Sequence, residues 1–314
     1  MRESFWPTRA QERLLAVALA NDEQAAKTWL ELRPRIDLER LEPGSFGLLP
    51  LVYRALERVA PDDSLLPRLK GIYRSTWVKN NLLIERVGET FDALSNRGVD
   101  AALLGGLGSG ARFYGDTALR PTSGIEVLVT PSARVAAVAA LGHAGWVPQP
   151  EGTPLWLTDA HGSSCVLSTS LAPDFGPDAT LLERRETVAL RGFSVPVLAA
   201  EDELLAACVA GGRKRNYATL QWIVDAALAI RTVGPSLDWN RLIALARSHD
   251  QLLRARRALA YVDTLPRVEM PASAREHLEG ASVALRARLS YVLAAQAPAG
   301  GRLAAKLISR DGRS

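Results

Sequence analysis

The chain has 314 residues, of which 47% are hydrophobic and 23% are charged, which is the balance of a soluble globular protein. The net charge is only +4, since 38 basic residues are offset by 34 acidic ones, so composition gives little support for a nucleic-acid partner. The longest apolar runs, at residues 135–140 and 204–210, are far shorter than the ~20 residues that span a bilayer, and residues 1–7 have no signal-peptide core. We therefore expect a cytoplasmic protein with no membrane partner.

The cysteines and histidines give no sign of a disulfide or a zinc site. Cys165 and Cys208 lie in apolar runs without CxxC spacing, which predicts buried free thiols in a reducing compartment. His143, His249 and His277 have no partners at metal-ligand spacing.

Residues 9–96 have the apolar spacing of helices. Two short helices are predicted around Leu14 and Trp29, and a third over residues 48–56 ends in the turn chemistry of residues 61–63. A longer helix is expected over residues 65–94, with Gly98 as its C-terminal stop.

The pattern then changes from helices to alternating strands and turns. Strands are predicted at residues 99–104, 125–129, 146–147, 155–158, 165–168 and 188–197, with a helix over 132–141. From residue 201 to about 295 the spacing is helical again, with a strongly amphipathic helix at 220–230. This order predicts an N-terminal helical region (1–98), an α/β core (99–198), a C-terminal helical region (199–299) and a basic tail (300–314).

A glycine cluster follows the first predicted strand. Residues 106–111 read Gly-Leu-Gly-Ser-Gly-Ala and fit the dinucleotide-binding pattern G-x-G-x-x-A. That fold also needs a crossover helix and an acidic residue closing the second strand. Only about 14 residues separate the cluster from the next strand, they include Pro121, and Glu126 opens that strand instead of closing it. We therefore do not favour a dinucleotide-binding fold.

A different pattern covers more of the chain. Its parts are LLPLVYR at 48–54, the helix at 65–94, LLGG at 103–106, YGDTALRPTSGIEVLV at 114–129, VLAAEDELL at 197–205 and LQWIVD at 220–225. Together they resemble the uncharacterised nucleotidyltransferase family of bacteria, a branch of the DNA polymerase β-like superfamily. The resemblance implies an α+β fold in which a mixed β-sheet core is flanked by N-terminal and C-terminal helical regions.

The resemblance also implies a ligand, a nucleoside triphosphate with Mg²⁺. In such enzymes a glycine-rich turn holds the phosphates, and three carboxylates on two neighbouring strands hold two divalent ions. Carried onto this chain, the nucleotide contacts fall on Gly105, Gly106, Gly108, Ser109, Arg120 and Ser123. Glu126 is the residue left at the place of the catalytic carboxylates.

The chain departs from the family pattern where the chemistry would occur. The usual Lys-Gly appears as Gly105-Gly106, and the usual Asp-x-Asp appears as residues 124–126, Gly-Ile-Glu. The third carboxylate and a nearby histidine align with Val166 and Ser168. Hard divalent cations need several anionic oxygen ligands, so we expect no metal site here.

Two functions follow from this pattern. The first is a non-catalytic protein, an accessory to a biosynthetic gene cluster, whose cleft binds a nucleotide, a peptide or a partner protein. Glu126 would then serve as a single metal ligand, as a hydrogen-bond acceptor for a ribose, or only as a strand carboxylate at the mouth of a pocket with no catalytic role. The second is an active transferase that moves a nucleoside monophosphate to a hydroxyl of a small molecule, peptide or protein, with a site rebuilt from Asp116, Asp159 or Asp174.

The remaining candidates have ordinary structural interpretations. Asp116 is expected in a surface turn, and Asp159 with His161 in a hairpin turn, although the latter two could also form a general-base dyad. The basic run at residues 213–215 is expected to be a solvated loop. Together with the basic tail it defines a third, weaker class, a nucleic-acid binder.

Overall fold

A computed structural model describes residues 6–150, 154–172, 175–211, 220–285, 287–288 and 291. The helices are α1 (Arg9–Leu19), α2 (Asp22–Leu32), α3 (Leu49–Val59), α4 (Leu66–Ser95), α5 (Gly106–Phe113), α6 (Arg134–His143), α7 (Thr180–Glu183), α8 (Ala200–Gly211), α9 (Gln221–Val233), α10 (Trp239–Ser248), α11 (Leu252–Val262) and α12 (Ala272–Gly280). The strands are β1 (Ala101–Leu103), β2 (Ile125–Val129), β3 (Val147–Pro148), β4 (Leu155–Thr158), β5 (Ser164–Ser168), β6 (Glu186–Leu190) and β7 (Phe193–Val197). The basic run at 213–215 and the tail at 300–314 lie outside the described residues.

The contacts divide the chain into two compact units. One, which we call the sheet unit, is Leu49–Ala206; the other, the helical unit, combines Met1–Leu48 with Ala207–Ser314. The grouping places α3 and α4 with the strands, because Leu83, Ile84 and Val87 of α4 pack into the same core as β1, β2 and β7. The division predicted from the sequence, at residues 98 and 198, stays a prediction.

The sheet unit contains a seven-stranded mixed sheet in the order β3-β4-β5-β2-β1-β7-β6. The pairs β2–β5 and β1–β7 are parallel, and the others are antiparallel. The side chains of Ile125, Val127 and Val129 alternate onto the face that α4 and α6 cover. The fold class predicted from the sequence, an α+β fold with a mixed sheet between helical regions, is confirmed.

One strand prediction was wrong. The run at residues 188–197 was expected to be a single strand, but it is a hairpin in which β6 and β7 pair from Glu186 opposite Val197 to Leu190 opposite Phe193. The turn consists of Arg191 and Gly192, whose φ angles are +42° and +96°. An arginine at the first of these positions hides the turn, because asparagine, aspartate or glycine is the usual signal there.

The helical unit is built around α9. The sequence predicted an amphipathic helix here, but the structure buries nearly every side chain from Gln221 to Ile230. Arg231 lies at the end of this helix and donates hydrogen bonds to the carbonyl oxygens of Leu19 (2.6 Å) and Pro266. Burial lowers the pKa of Arg231 to about 10. In the described part of the chain, none of the helices has the length and apolar character needed to cross a membrane.

Candidate functional site

The turn between β1 and α5 is shaped by two glycines. Gly105 and Gly106 have φ angles of +45° and +47°, in the left-handed region that side chains other than glycine adopt at a cost. A Cβ atom on Gly106 would also lie 3.2 Å from Cγ2 of Thr122. The backbone geometry therefore accounts for glycine at both positions.

Gly108 and Ser109 lie inside α5 and pack against the sheet. A Cβ atom on Gly108 would lie 3.0 Å from Cγ1 of Val197 in β7, so the glycine allows a close approach of helix and strand. Ser109 is buried, and its backbone N–H donates to the carbonyl oxygen of Gly105 (3.2 Å). Both residues have a structural explanation, and their nucleotide contacts stay predictions.

Arg120 lies beside the glycine turn. Its Nη2 atom is 4.0 Å from the position of a Cβ atom on Gly105, and its Nη1 atom donates to Oγ1 of Thr122 (3.4 Å). A guanidinium therefore stands close to the point where the lysine side chain of the family pattern would begin. Ser123, three residues further on, is exposed.

The loop that carries Arg120 is held by Asn80 of α4. The Asn80 side chain is fully buried and donates to the carbonyl oxygens of Thr117 (2.7 Å) and Arg120 (2.9 Å). Sequence reasoning did not single out Asn80, because the residues it contacts are 37 and 40 positions away. The one local feature that could have pointed to Asn80 is that it is a polar residue on the apolar face of a long helix.

The Glu126 side chain projects from one face of β2, and the core residues Ile125, Val127 and Val129 project from the other face. Glu126 is exposed, whereas Ile125 and Val127 on either side are buried. The parallel strand β5 places Val166 directly opposite Glu126. The hydroxyl of Ser168, two residues further along β5, donates to Oε1 of Glu126 (3.2 Å). Val166 and Ser168, which the resemblance aligns with the family's third carboxylate and histidine, therefore lie beside Glu126, and the alignment itself stays a prediction.

The same face of the sheet continues onto β4. Trp156 is opposite Val166, so Glu126, Val166 and Trp156 form one row across three strands. The Trp156 side chain is 48% exposed. Neighbouring strands are about 4.8 Å apart, so the backbones of Trp156 and Glu126 are about 10 Å apart along this row.

Position 124, where the family pattern has its first aspartate, is crowded. A Cβ atom on Gly124 would lie 2.6 Å from the carbonyl oxygen of Ser164 in β5. The Ser164 hydroxyl donates in turn to the carbonyl oxygen of Ser123 (2.9 Å). Because the obstructing atom is backbone in a paired strand, a side chain at 124 requires β2 and β5 to move.

The residues near Glu126 do not fit a pair of divalent ions. Within the described ranges, no three histidine, cysteine, aspartate or glutamate side chains come together in a way that could hold a metal ion. The neighbours given by the strand register, Val166 and Trp156, offer no oxygen ligand, and Ser168 offers a neutral hydroxyl.

Asp116 is not the surface turn residue that the sequence predicted. Its Oδ2 atom accepts hydrogen bonds from Nη2 of Arg54 (2.7 Å) and from the Tyr73 hydroxyl (2.7 Å). Its Oδ1 atom accepts from the Ala118 backbone N–H (2.9 Å) at the start of the 3₁₀ turn Thr117–Leu119. Asp116 therefore anchors this turn to α3 and α4 through an ion pair that spans 62 positions of sequence.

Asp159 occupies the predicted hairpin turn, but it does not form a dyad with the His161 ring. Its carboxylate lies 3.0 Å from Nε of Arg86 and accepts from the backbone N–H groups of His161 (2.9 Å) and Ser163 (2.8 Å). Burial raises the pKa of Asp159, but the hydrogen bonds from Ser163 and His161 and the Arg86 charge lower it more, so the net pKa is below the usual value. The third alternative carboxylate, Asp174, lies outside the described residues.

The two cysteines are buried free thiols, as predicted. Desolvation by burial raises the pKa of Cys165 and of Cys208 to about 12.

A family model described as an uncharacterised nucleotidyltransferase matches residues 45–266, so the chain belongs to this family. The resemblance predicted from the sequence is thereby confirmed, and the match extends about forty residues beyond the last segment that carries the resemblance, at 220–225.

Among solved structures, the chain is similar to the solution structure of the antibiotic-resistance factor ANT(2'')-Ia. The identity is 15%, the match covers 58% of this chain and 96% of that chain, and the TM-score is 0.42. A likeness this distant does not bear on substrate or mechanism. No curated protein matches the chain.

Proposed function

We propose that this nucleotidyltransferase-family protein binds a nucleotide without transferring it. The observation that carries the proposal is the backbone carbonyl of Ser164, 2.6 Å from the Cβ position of Gly124. It leaves no room for the aspartate that would complete the metal-binding pair with Glu126. Two-metal transfer depends on several carboxylates around the reacting phosphate, and a lone glutamate does not neutralise that charge.

The glycine turn and Arg120 support binding of phosphate. Backbone N–H groups at the start of a helix attract anions, and α5 begins at Gly106 directly after the turn. The Arg120 guanidinium adds a cation there, which is suited to phosphate because it donates in a fixed fork. We assign the phosphate contacts to Gly105, Gly106, Arg120 and the exposed Ser123.

The open face of the sheet supports binding of the rest of the nucleotide. We propose that Glu126 accepts a hydrogen bond from a ribose hydroxyl and that the exposed Trp156 indole stacks on a base. A peptide or protein partner, and an accessory role beside biosynthetic enzymes, rest on the family resemblance alone.

The alternative is an active transferase with rebuilt carboxylates. Of the three aspartates proposed for it, Asp116 is engaged by Arg54 and Tyr73, and Asp159 is engaged by Arg86. Releasing either would break an ion pair that holds elements of the sheet unit together. We therefore favour binding without transfer.

Calorimetric titration of ATP, GTP, CTP and UTP, in Mn²⁺ and in EDTA, tests the proposal. We expect saturable binding of at least one nucleotide that changes little in EDTA. Arg120→Ala should weaken it about tenfold or more, through loss of charge-assisted hydrogen bonds. Arg134→Ala, which removes an exposed arginine at the start of α6, is the matched control and should leave binding unchanged. Absence of binding, or binding that Arg120→Ala and Arg134→Ala weaken equally, would contradict the assignment.

A further inference from the structure

An open cavity lies in the sheet unit, away from the glycine turn. Its volume is about 470 Å³, and its lining includes the charged residues Arg54, Asp116 and Arg191 together with Thr117 and small or apolar residues. It lies towards the C-terminal end of α5, where its lining residue Ala111 is five residues from Gly106, or about 8 Å along the helix axis. A nucleotide bound at the glycine turn does not explain why Arg54 and Arg191 line this cavity.

Arg191 occupies a backbone position that suits other residues better. It and Gly192 form the two-residue turn between β6 and β7, and both have positive φ angles, the pattern of a type I′ turn. Asparagine, aspartate or glycine is favoured at the first position, and arginine there is strained. Strained residues of this kind concentrate at ligand sites, where the side chain has a use that offsets the strain.

The Arg191 guanidinium is available to a ligand. It forms no side-chain hydrogen bond or ion pair with any residue in the part of the chain that the structure describes, and it lines the cavity.

Arg54 on the cavity wall is already oriented. It is fixed by Asp116 Oδ2 (2.7 Å) and Glu57 Oε2 (3.2 Å), and its guanidinium carbon lies 5.4 Å from the centre of the Tyr73 ring. Arg54 is paired with the carboxylates of Asp116 and Glu57, so Arg191 is the charged side chain of the lining that has no partner among the described residues. A single unpaired guanidinium matches a monoanion, whereas a phosphate dianion would also face the Asp116 carboxylate.

Apart from Thr117 and Gly115, the rest of the lining is apolar. Ala111 and Ala189 are its accessible apolar residues, above the buried side chains of Ile84 and Leu190. The volume is in the range of about 300–1,000 Å³ that small-molecule sites occupy. We propose that this cavity binds a small organic monocarboxylate, with the carboxylate on Arg191 beside Arg54 and the apolar body against these side chains. The site is independent of the nucleotide proposed at the glycine turn.

Benzoate, benzamide and inorganic phosphate, titrated into the full chain by calorimetry, test the charge and the shape of the ligand. We expect saturable binding of benzoate, no binding of neutral benzamide, and weaker binding of phosphate than of benzoate. Arg191→Asn should weaken benzoate binding about tenfold or more, because it removes a charge-assisted hydrogen bond. The same variant should raise the Tm by about 2–4 °C, because asparagine is favoured in this turn.

Arg267→Asn is the matched control. Arg267 is an exposed arginine of the helical unit with φ +60°, so the substitution relieves a similar strain without touching the cavity. It should raise the Tm and leave benzoate binding unchanged. The proposal is overturned if benzoate shows no saturable binding at millimolar concentration, if benzamide or phosphate binds as well as benzoate, or if Arg191→Asn binds benzoate as the unaltered protein does.

Discussion

Gly124, immediately before β2, lies against the backbone of Ser164 in β5, since a Cβ atom on the glycine would be 2.6 Å from the serine carbonyl oxygen. The two strands are parallel and paired through Ile125 opposite Cys165, so this carbonyl is held by the sheet. The position at which the resemblance places the family's first aspartate is therefore closed to a side chain.

Substitution of Gly124 should destabilise the sheet unit. We expect Gly124→Ala and Gly124→Asp to lower the free energy of unfolding by about 1–3 kcal/mol, because neither paired strand can retreat without loss of packing. Gly71→Ala in the second turn of α4 is the control: nothing lies within 4 Å of its Cβ position, and the substitution should raise the free energy of unfolding by about 0.5–1 kcal/mol. Urea unfolding measures the free energy of unfolding of the Gly124 and Gly71 variants. A Gly124→Asp variant as stable as the original protein would show that a carboxylate can be seated there.

The loop that carries Arg120 should depend on Asn80. Asn80→Ala removes two buried hydrogen bonds and leaves the carbonyl oxygens of Thr117 and Arg120 without this donor, so we expect a loss of about 2–4 kcal/mol in unfolding free energy. The affinity of the Asn80→Ala variant for nucleotide should fall together with its stability. Asn81→Ala is the control, since its side chain makes an exposed hydrogen bond to Trp77 in its own helix. Equal effects of the two substitutions on stability and binding would exclude a special role for Asn80.

Asp159 should make the stability of the sheet unit depend on acid pH. Its pKa is lowered in the folded protein, so the carboxylate stabilises the fold above the ordinary aspartate value of 3.8, and that stability is lost as the pH falls through the lower folded pKa. Asp159→Asn should lower the unfolding free energy by about 2 kcal/mol at pH 7 and by much less near pH 2. Asp62→Asn, at an exposed turn residue, should show no such difference. A pH-independent effect of Asp159→Asn would contradict the assignment.

The cysteine thiols should react only after unfolding. Cys165 and Cys208 are buried, and burial raises the pKa of each thiol to about 12, so thiolate is scarce at neutral pH. Labelling with a disulfide reagent in native buffer should be slow and should accelerate through the urea transition. Rapid stoichiometric labelling of native protein would show that one of these sites opens.

Local chemistry explains which features the sequence could predict. The alternation that buries Ile125 and Val127 and exposes Glu126 is a property of the strand itself, and the need for glycine at 105 and 106 is a property of a tight turn. The buried thiols followed from apolar neighbours in sequence. These predictions needed no knowledge of which elements pack together.

Contacts between distant elements explain what the sequence could not predict. Asp116 was expected in a surface turn because its partners, Arg54 and Tyr73, are 62 and 43 residues away. Asn80 was overlooked for the same reason. The β6–β7 hairpin was missed because Arg191 occupies a turn position where asparagine or glycine is the usual marker.

Transfer of label from nucleoside triphosphates labelled in the α-phosphate, incubated with the full chain and Mn²⁺, tests the central claim most directly. The acceptors would be the protein itself and panels of small molecules and peptides that offer a hydroxyl. We predict nucleotide binding with no covalent label above background, in the unaltered protein and in Glu126→Ala alike. Label that accumulates with the unaltered protein and disappears in Glu126→Ala would contradict the account and show that the site is catalytic.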